Sequence, residues 1–192
     1  MKPKAYFLVF DGLADWELAH ALCEINKSGK FEVVSVGFSE GSVTTMGGVK
    51  LKPDTTLAAI TPDETRIFML PGGEIWETES FGNLKDLLKR LHAENVLIGA
   101  ICGATLEFAR AGLTHNIRHT SNSKDYLKTM VNDYHDDDFY VDQLAVTDQN
   151  LITASGLSSI EFAREVIKEL QLYNEADTRL WFEMFKHGVM PV

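Results

Sequence analysis

Short apolar runs that recur between amphipathic segments constrain this chain more than any other feature. Residues 5–10, 66–70 and 95–100 are such runs, and residues 31–36 read as a further strand. Runs that are apolar throughout, rather than alternating, belong to strands buried on both faces, as in a helix-covered parallel sheet. Between them lie segments with helical spacing. In residues 15–28, Leu18, Ala19, Leu22, Cys23 and Ile25 are expected mostly on one buried face, and Ser28-Gly29 stops the helix. Further helices are expected over 81–92, 103–111, 123–131 and 175–187. Ser158 to Glu161 reads as a capping box opening a helix that reaches Leu170. A second box, Thr61-Pro62-Asp63-Glu64, opens a single turn. Gly47-Gly48 inside residues 42–52 suggests a hairpin, and residues 117–121, 139–146 and 151–154 read as later strands around an acidic loop at 132–138. This alternation predicts one domain over residues 1–192, a flavodoxin-like three-layer α/β/α sandwich with a mainly parallel sheet.

Bulk chemistry narrows the partners. The formal charge of −10, from 18 basic and 28 acidic residues, disfavours nucleic acid and anionic membranes, which need clustered Lys and Arg. No apolar run is long enough to span a bilayer, and the first residues lead straight into a strand without an apolar leader. Two cysteines in 192 residues make no disulfide framework. The expected setting is the cytoplasm, with reduced thiols and no cofactor.

Ligands of such sheets sit beyond the carboxyl ends of the strands. Residues 11–17, Pro71-Gly72-Gly73 and Cys102 all fall there. Cys102 stands where a buried strand turns into a helix, flanked two residues away by Ala100 and Ala104. A sharp elbow needs small residues at those places, by the logic of a nucleophile elbow with sulfur for oxygen. Free N–H groups at the helix start favour a thiolate. The glycines after Leu70 allow the backbone to approach a substrate, so that Gly73 and Gly103 can supply two N–H donors to an oxyanion. Glu17, at the start of the first helix, is either a dipole partner or an acid aimed at the Cys102 sulfur, and Asp15 competes with it for that role. Cys23, in mid-helix, is expected to be inert core.

The histidines are scattered. His20 and His92 have no chemical context, and His135 lies in a solvated acidic loop. His115 or His119 could reach the thiol as a general base.

Five segments in order resemble the DJ-one/PfpI superfamily of class I glutamine-amidotransferase-like proteins over nearly the whole chain. They are Asp11-Gly-Leu-Ala-Asp-Trp-Glu17, Met69-Leu-Pro-Gly-Gly73, Ala100-Ile-Cys102-Gly-Ala, His119-Thr-Ser-Asn122, and Thr153-Ala-Ser-Gly156 ahead of Ile160-Glu161-Phe162. The resemblance implies the flavodoxin-like sandwich, a nucleophile at Cys102, an acid at Glu17, oxyanion donors at Gly73 and Gly103, and a homodimer. It is greatest to the small bacterial branch named intracellular proteases or amidases. Where many members carry a histidine near the cysteine, this chain has Asn122, with His119 three residues earlier. Asn cannot take a proton at neutral pH, which puts peptidase-type Cys–His chemistry in doubt. His187 is followed by Gly188-Val189, not by the His-x-Glu pair of glutaminases, which argues against glutamine hydrolysis. The expectation is a cysteine-dependent hydrolase or lyase of the protease, amidase, glyoxalase or deglycase kind, acting on small carbonyl or amide compounds. The alternative is a non-catalytic redox or stress sensor with an oxidisable Cys102.

Overall fold

A computed structural model describes residues 2–190 of the chain. The four strands expected over residues 5–10, 31–36, 66–70 and 95–100 become β1 (Lys4–Val9), β2 (Glu32–Gly37), β6 (Thr65–Leu70) and β7 (Leu97–Ile101). With β5 (Thr55–Thr56), β8 (Ala145–Asp148) and β9 (Leu151–Ala154) they form a seven-stranded sheet in the order β5-β2-β1-β6-β7-β9-β8. Every pairing in it is parallel except β8 with β9. The expected hairpin is present as β3 (Val43–Thr44) against β4 (Lys50–Leu51).

Helices cover both faces. On one side α1 (Asp15–Ser28), α6 (Ser159–Glu169) and α7 (Glu175–His187) bury Leu18, Ile25, Phe162, Val166 and Trp181 against Ile67, Met69 and Ile152. On the other, α3 (Gly82–Ala93) and α4 (Thr105–Arg110) bury Leu84, Leu88, Leu106 and Phe108 against Phe68 and Ile98. The remaining helices, α2 (Ile75–Thr78) and α5 (Lys124–Met130), follow the loops after β6 and before β8. This is the flavodoxin-like α/β architecture. The chain runs on from β1 to β2 on one side and from its neighbour β6 to β7 on the other, so a crevice opens at the carboxyl ends of β1 and β6.

Several local expectations are corrected. Cys23 is exposed, not core. Helix α1 buries Leu18, Ala21 and Ile25, and a residue five places after Leu18 points about 140° away from it. Ala19 is exposed because it too is rotated off that face. Neither capping box forms through its side chain. Ser158 Oγ instead donates to the Leu144 carbonyl at 2.6 Å, and Glu161 pairs with Lys186 at 2.7 Å. The strand expected over 139–146 begins only at Ala145. The Gln143 N–H bonds back to the Val141 carbonyl at 2.8 Å, which turns the chain before a ladder can form. Residues 117–121, expected as a short strand, keep a single bridge, His119 to Tyr140.

Candidate active site

Cys102 sits at the tip of β7 with φ 60°. The other non-glycine residues in that region are Asn95, Asn116, Gln149 and Gln171, all in turns. A left-handed cysteine at a strand-to-helix junction stores about 1–3 kcal/mol of strain. Its surroundings enforce it. Ala100 and Ala104 are fully buried on either side. Thr105 Oγ1 lies 2.7 Å from the Cys102 carbonyl and 2.7 Å from Ser121 Oγ, tying the elbow to the segment that leads to Asn122.

Two glycines make room for the thiol. A Cβ on Gly72 would stand 2.6 Å from Cys102 Cβ and 2.8 Å from both Glu17 oxygens. One on Gly156 would stand 2.7 Å from the Cys102 sulfur. Neither glycine stands out as a site residue in the sequence. The available signal was their place in the Pro71-Gly72-Gly73 and Thr153-to-Gly156 segments at the ends of β6 and β9.

Glu17 is only 1% exposed, and its Oε2 accepts the Gly72 N–H. No side-chain cap forms at the start of α1. Burial pushes its carboxyl up to about 7, against the opposing pull of the Gly72 N–H and the Cys102 thiol. Asp15 faces elsewhere. It accepts the Gly47 N–H at 2.7 Å and pins the β3–β4 hairpin, and its hydrogen bond to Thr45 holds its carboxyl below the ordinary range.

The Cys102 thiol is itself pushed up, first by burial and then by the Glu17 charge. Hydrogen bonds from Asn122 and the Gly103 N–H work the other way. The expected helix-start stabilisation of a thiolate is thus outweighed. The elbow leads first into a single 3-10 turn, Cys102–Ala104, and only then into the six residues of α4. Thiol and carboxyl form a coupled pair, in which a thiolate is favoured when Glu17 holds the proton.

Asn122 Nδ2 lies 3.5 Å from the Cys102 sulfur. Its orientation is fixed because its Oδ1 accepts the Gly156 N–H at 3.0 Å. His119, by contrast, is buried and away from the thiol. Nδ1 lies 2.7 Å from the Ile117 carbonyl and Nε2 2.7 Å from the Tyr134 hydroxyl. Burial lowers its pKa, so it stays a neutral anchor under the strand ends. His115 is exposed and pairs with Asp136. Sequence reasoning also missed the walls. Trp16, Met46, Glu74, Glu77 and Tyr126 join Glu17, Cys102, Gly73 and Gly103 around a cavity of about 140 Å³. The Gly73 N–H has no hydrogen-bond partner among the described residues. A cavity of about 640 Å³ lies between α6 and α7, away from the thiol.

A strained cysteine, a buried glutamic acid from the first turn of α1 and a glycine pair after β6 meet at one set of strand ends. The sequence model of the DJ-1/PfpI family matches residues 3–169. The chain belongs to this family. It is 35% identical over 190 residues to the uncharacterized protease YoaZ of Bacillus subtilis, covering 95% of this chain and 90% of that one. A thiJ/pfpI family protein from Bacillus anthracis superposes with a TM-score of 0.92 at 33% identity, over 98% of this chain and 92% of the other. A deglycase from Pyrococcus horikoshii is 25% identical over 119 residues, 62% of this chain and 71% of its own. Family relatives thus carry hydrolase-like names. Among the described residues no helix is long and apolar enough to cross a membrane.

Proposed function

We propose that this chain is a cofactor-free, cysteine-dependent hydrolase or lyase acting on small carbonyl or amide compounds in the cytoplasm. One observation carries the reading: Cys102 is held left-handed beside a buried carboxyl that titrates near neutrality. The Cys102 proton passes to Glu17 as sulfur bonds to the carbonyl carbon. The C=O π electrons move to oxygen, which the N–H groups of Gly73 and Gly103 receive. Glu17 then returns the proton, to that oxygen in a hemithioacetal or to the leaving amine of an amide. No imidazole assists, because both His119 nitrogens are engaged elsewhere. That favours addition to aldehydes over amide hydrolysis. Turnover of methylglyoxal and of an amide panel, with Cys102→Ser as the blank, tests this. Equal turnover by Cys102→Ser, or none by either protein on any compound, refutes it.

A redox-sensing role has its own support. Glu17 as the acid, Asn122 Nδ2 and the Gly103 N–H surround the sulfur with donors that suit a sulfinate as well as a thiolate. Peroxide titration followed by intact mass would show Cys102 gaining two oxygen atoms at low equivalents, while turnover stays absent.

A further inference from the structure

Three carboxylates frame the Cys102 cavity: Glu17 beside the sulfur, and Glu74 and Glu77, both exposed on the loop and short helix that follow Gly73. No Lys, Arg or His lines it among the described residues. Nearby cations are committed or turned away. Arg110 Nη1 is bonded to the Trp76 and Glu79 carbonyls and to Glu107 Oε1 at 2.8–3.2 Å. Lys124 lines a separate cavity with Asp125, Tyr140 and Asp142. Trp16, 52% exposed, and Met46, 49% exposed, line the same cavity and add aromatic and apolar surface to it. Glu77 is held in place by the Tyr126 hydroxyl at 3.0 Å. Carboxylates and an open indole lining one cavity attract an ammonium group and repel a carboxylate.

Resting on the cysteine-nucleophile reading, we propose that the site selects carbonyl or amide compounds bearing a positive charge. The cation would sit at the mouth between Glu74, Glu77 and Trp16, with the reacting carbon at Cys102. Oxo acids and other anions are excluded.

Charge-tagged thiol reagents test this without requiring turnover. The 2-aminoethyl and 2-sulfonatoethyl methanethiosulfonates differ mainly in the sign of one charge. In each, the thiolate attacks the reagent's sulfenyl sulfur, an S–S bond forms and methanesulfinate leaves. Cys23→Ser removes the exposed competing thiol, and the same chain unfolded in urea gives the reagents' intrinsic rate ratio. The folded protein should favour the cationic reagent by about tenfold or more over that intrinsic ratio at low salt, with the preference shrinking as salt screens the mouth. Glu74→Gln with Glu77→Gln should bring the ratio most of the way back to the unfolded value, while the amide oxygen introduced by Glu77→Gln still accepts from Tyr126. A folded ratio equal to the unfolded one, or one the double substitution leaves intact, overturns the proposal. Either result leaves the nucleophile reading standing, since that fails only through the Cys102→Ser comparison above.

Discussion

Replacing Glu17 by Gln should make the folded protein more stable at pH 8 and leave it nearly unchanged at pH 4. Gln keeps the acceptor: its Oε1 can take the Gly72 N–H that Glu17 Oε2 takes now, leaving Nε2 to face the sulfur. What it removes is a charge in a site 1% exposed. An ordinary glutamate titrates at 4.5, and burial raises Glu17 to about 7. Between those values the folded state holds a proton that the unfolded state has released. Stability therefore falls as pH rises through that window and stays lower above it. At about 1.36 kcal/mol per pH unit, the rise corresponds to about 3 kcal/mol lost by pH 8. Urea unfolding of both proteins at pH 4, 6 and 8 measures it. The wild-type deficit relative to the Glu17→Gln variant should open as pH climbs from the ordinary glutamate value toward neutrality and reach about 3 kcal/mol. Thiolate absorbance gives a second readout. Without the Glu17 charge, Cys102 should ionise at lower pH than in the wild type, because one of the two main causes holding its proton on is gone. A stability difference that does not vary with pH, or a thiol titration unmoved by the substitution, would refute the coupling of these two groups.

The Gly156→Ala change should cut iodoacetamide labelling of Cys102 about 100-fold, because the added methyl would overlap the sulfur and a displacement of about 1 Å suffices for such a loss. Labelling of exposed Cys23 in the same sample should not change, which separates a local effect from unfolding. Asn122→His should raise amide turnover by up to about 100-fold if a general base is what the site lacks. His119→Ala should leave Cys102 labelling at its wild-type rate yet destabilise the fold by about 3 kcal/mol, as it empties a buried site and orphans the Tyr134 hydroxyl. We also propose a homodimer, with Leu180 and Phe185 of α7 left exposed while Trp181 packs into the chain's own core. Light scattering should give twice the 21.5 kDa of one chain, and a mass of 21.5 kDa at micromolar concentration would refute this.

The sheet was legible because its central strands are apolar throughout, a pattern that only burial on both faces explains. What escaped the sequence depended on competition between partners. Ser158 has the composition of a cap but finds the Leu144 carbonyl within 2.6 Å, a contact made by chain segments 14 residues apart. Cys23 looks like core in a linear reading because Leu22 and Ile25 flank it, yet the rotation of α1 is set by where Leu18, Ala21 and Ile25 meet α6 and the sheet. The same holds at the site. Asp15 and Glu17 are two residues apart on one helix, so they project in different directions, and only the assembled crevice decides which faces sulfur. Spacing kept both as candidates; the β3–β4 hairpin engages Asp15 through Gly47, and Glu17 turns inward.

Placing a carboxyl beside a thiol in a dry crevice lowers stability twice. Burial disfavours each charge, and the strained Cys102 backbone adds its own penalty. An inert fold has a less strained solution at each point: Gly at the elbow, and an apolar residue in place of Glu17. The chain instead commits contacts to preserving the strain. Thr105 and Ser121 brace the elbow, and Gly156 orients Asn122. These supports reach Cys102, its backbone and its sulfur, from α4, the segment before α5 and the loop after β9. That convergence favours a reactive thiol over a structural one, because a buried structural cysteine gains nothing from hydrogen-bond donors aimed at its sulfur. The carboxyl titrates near neutrality because burial disfavours its charge. Cys102, also pushed up, keeps its proton longer, so the carboxyl is the group that gains and loses a proton near neutrality, and a thiolate forms beside it more readily when it is protonated.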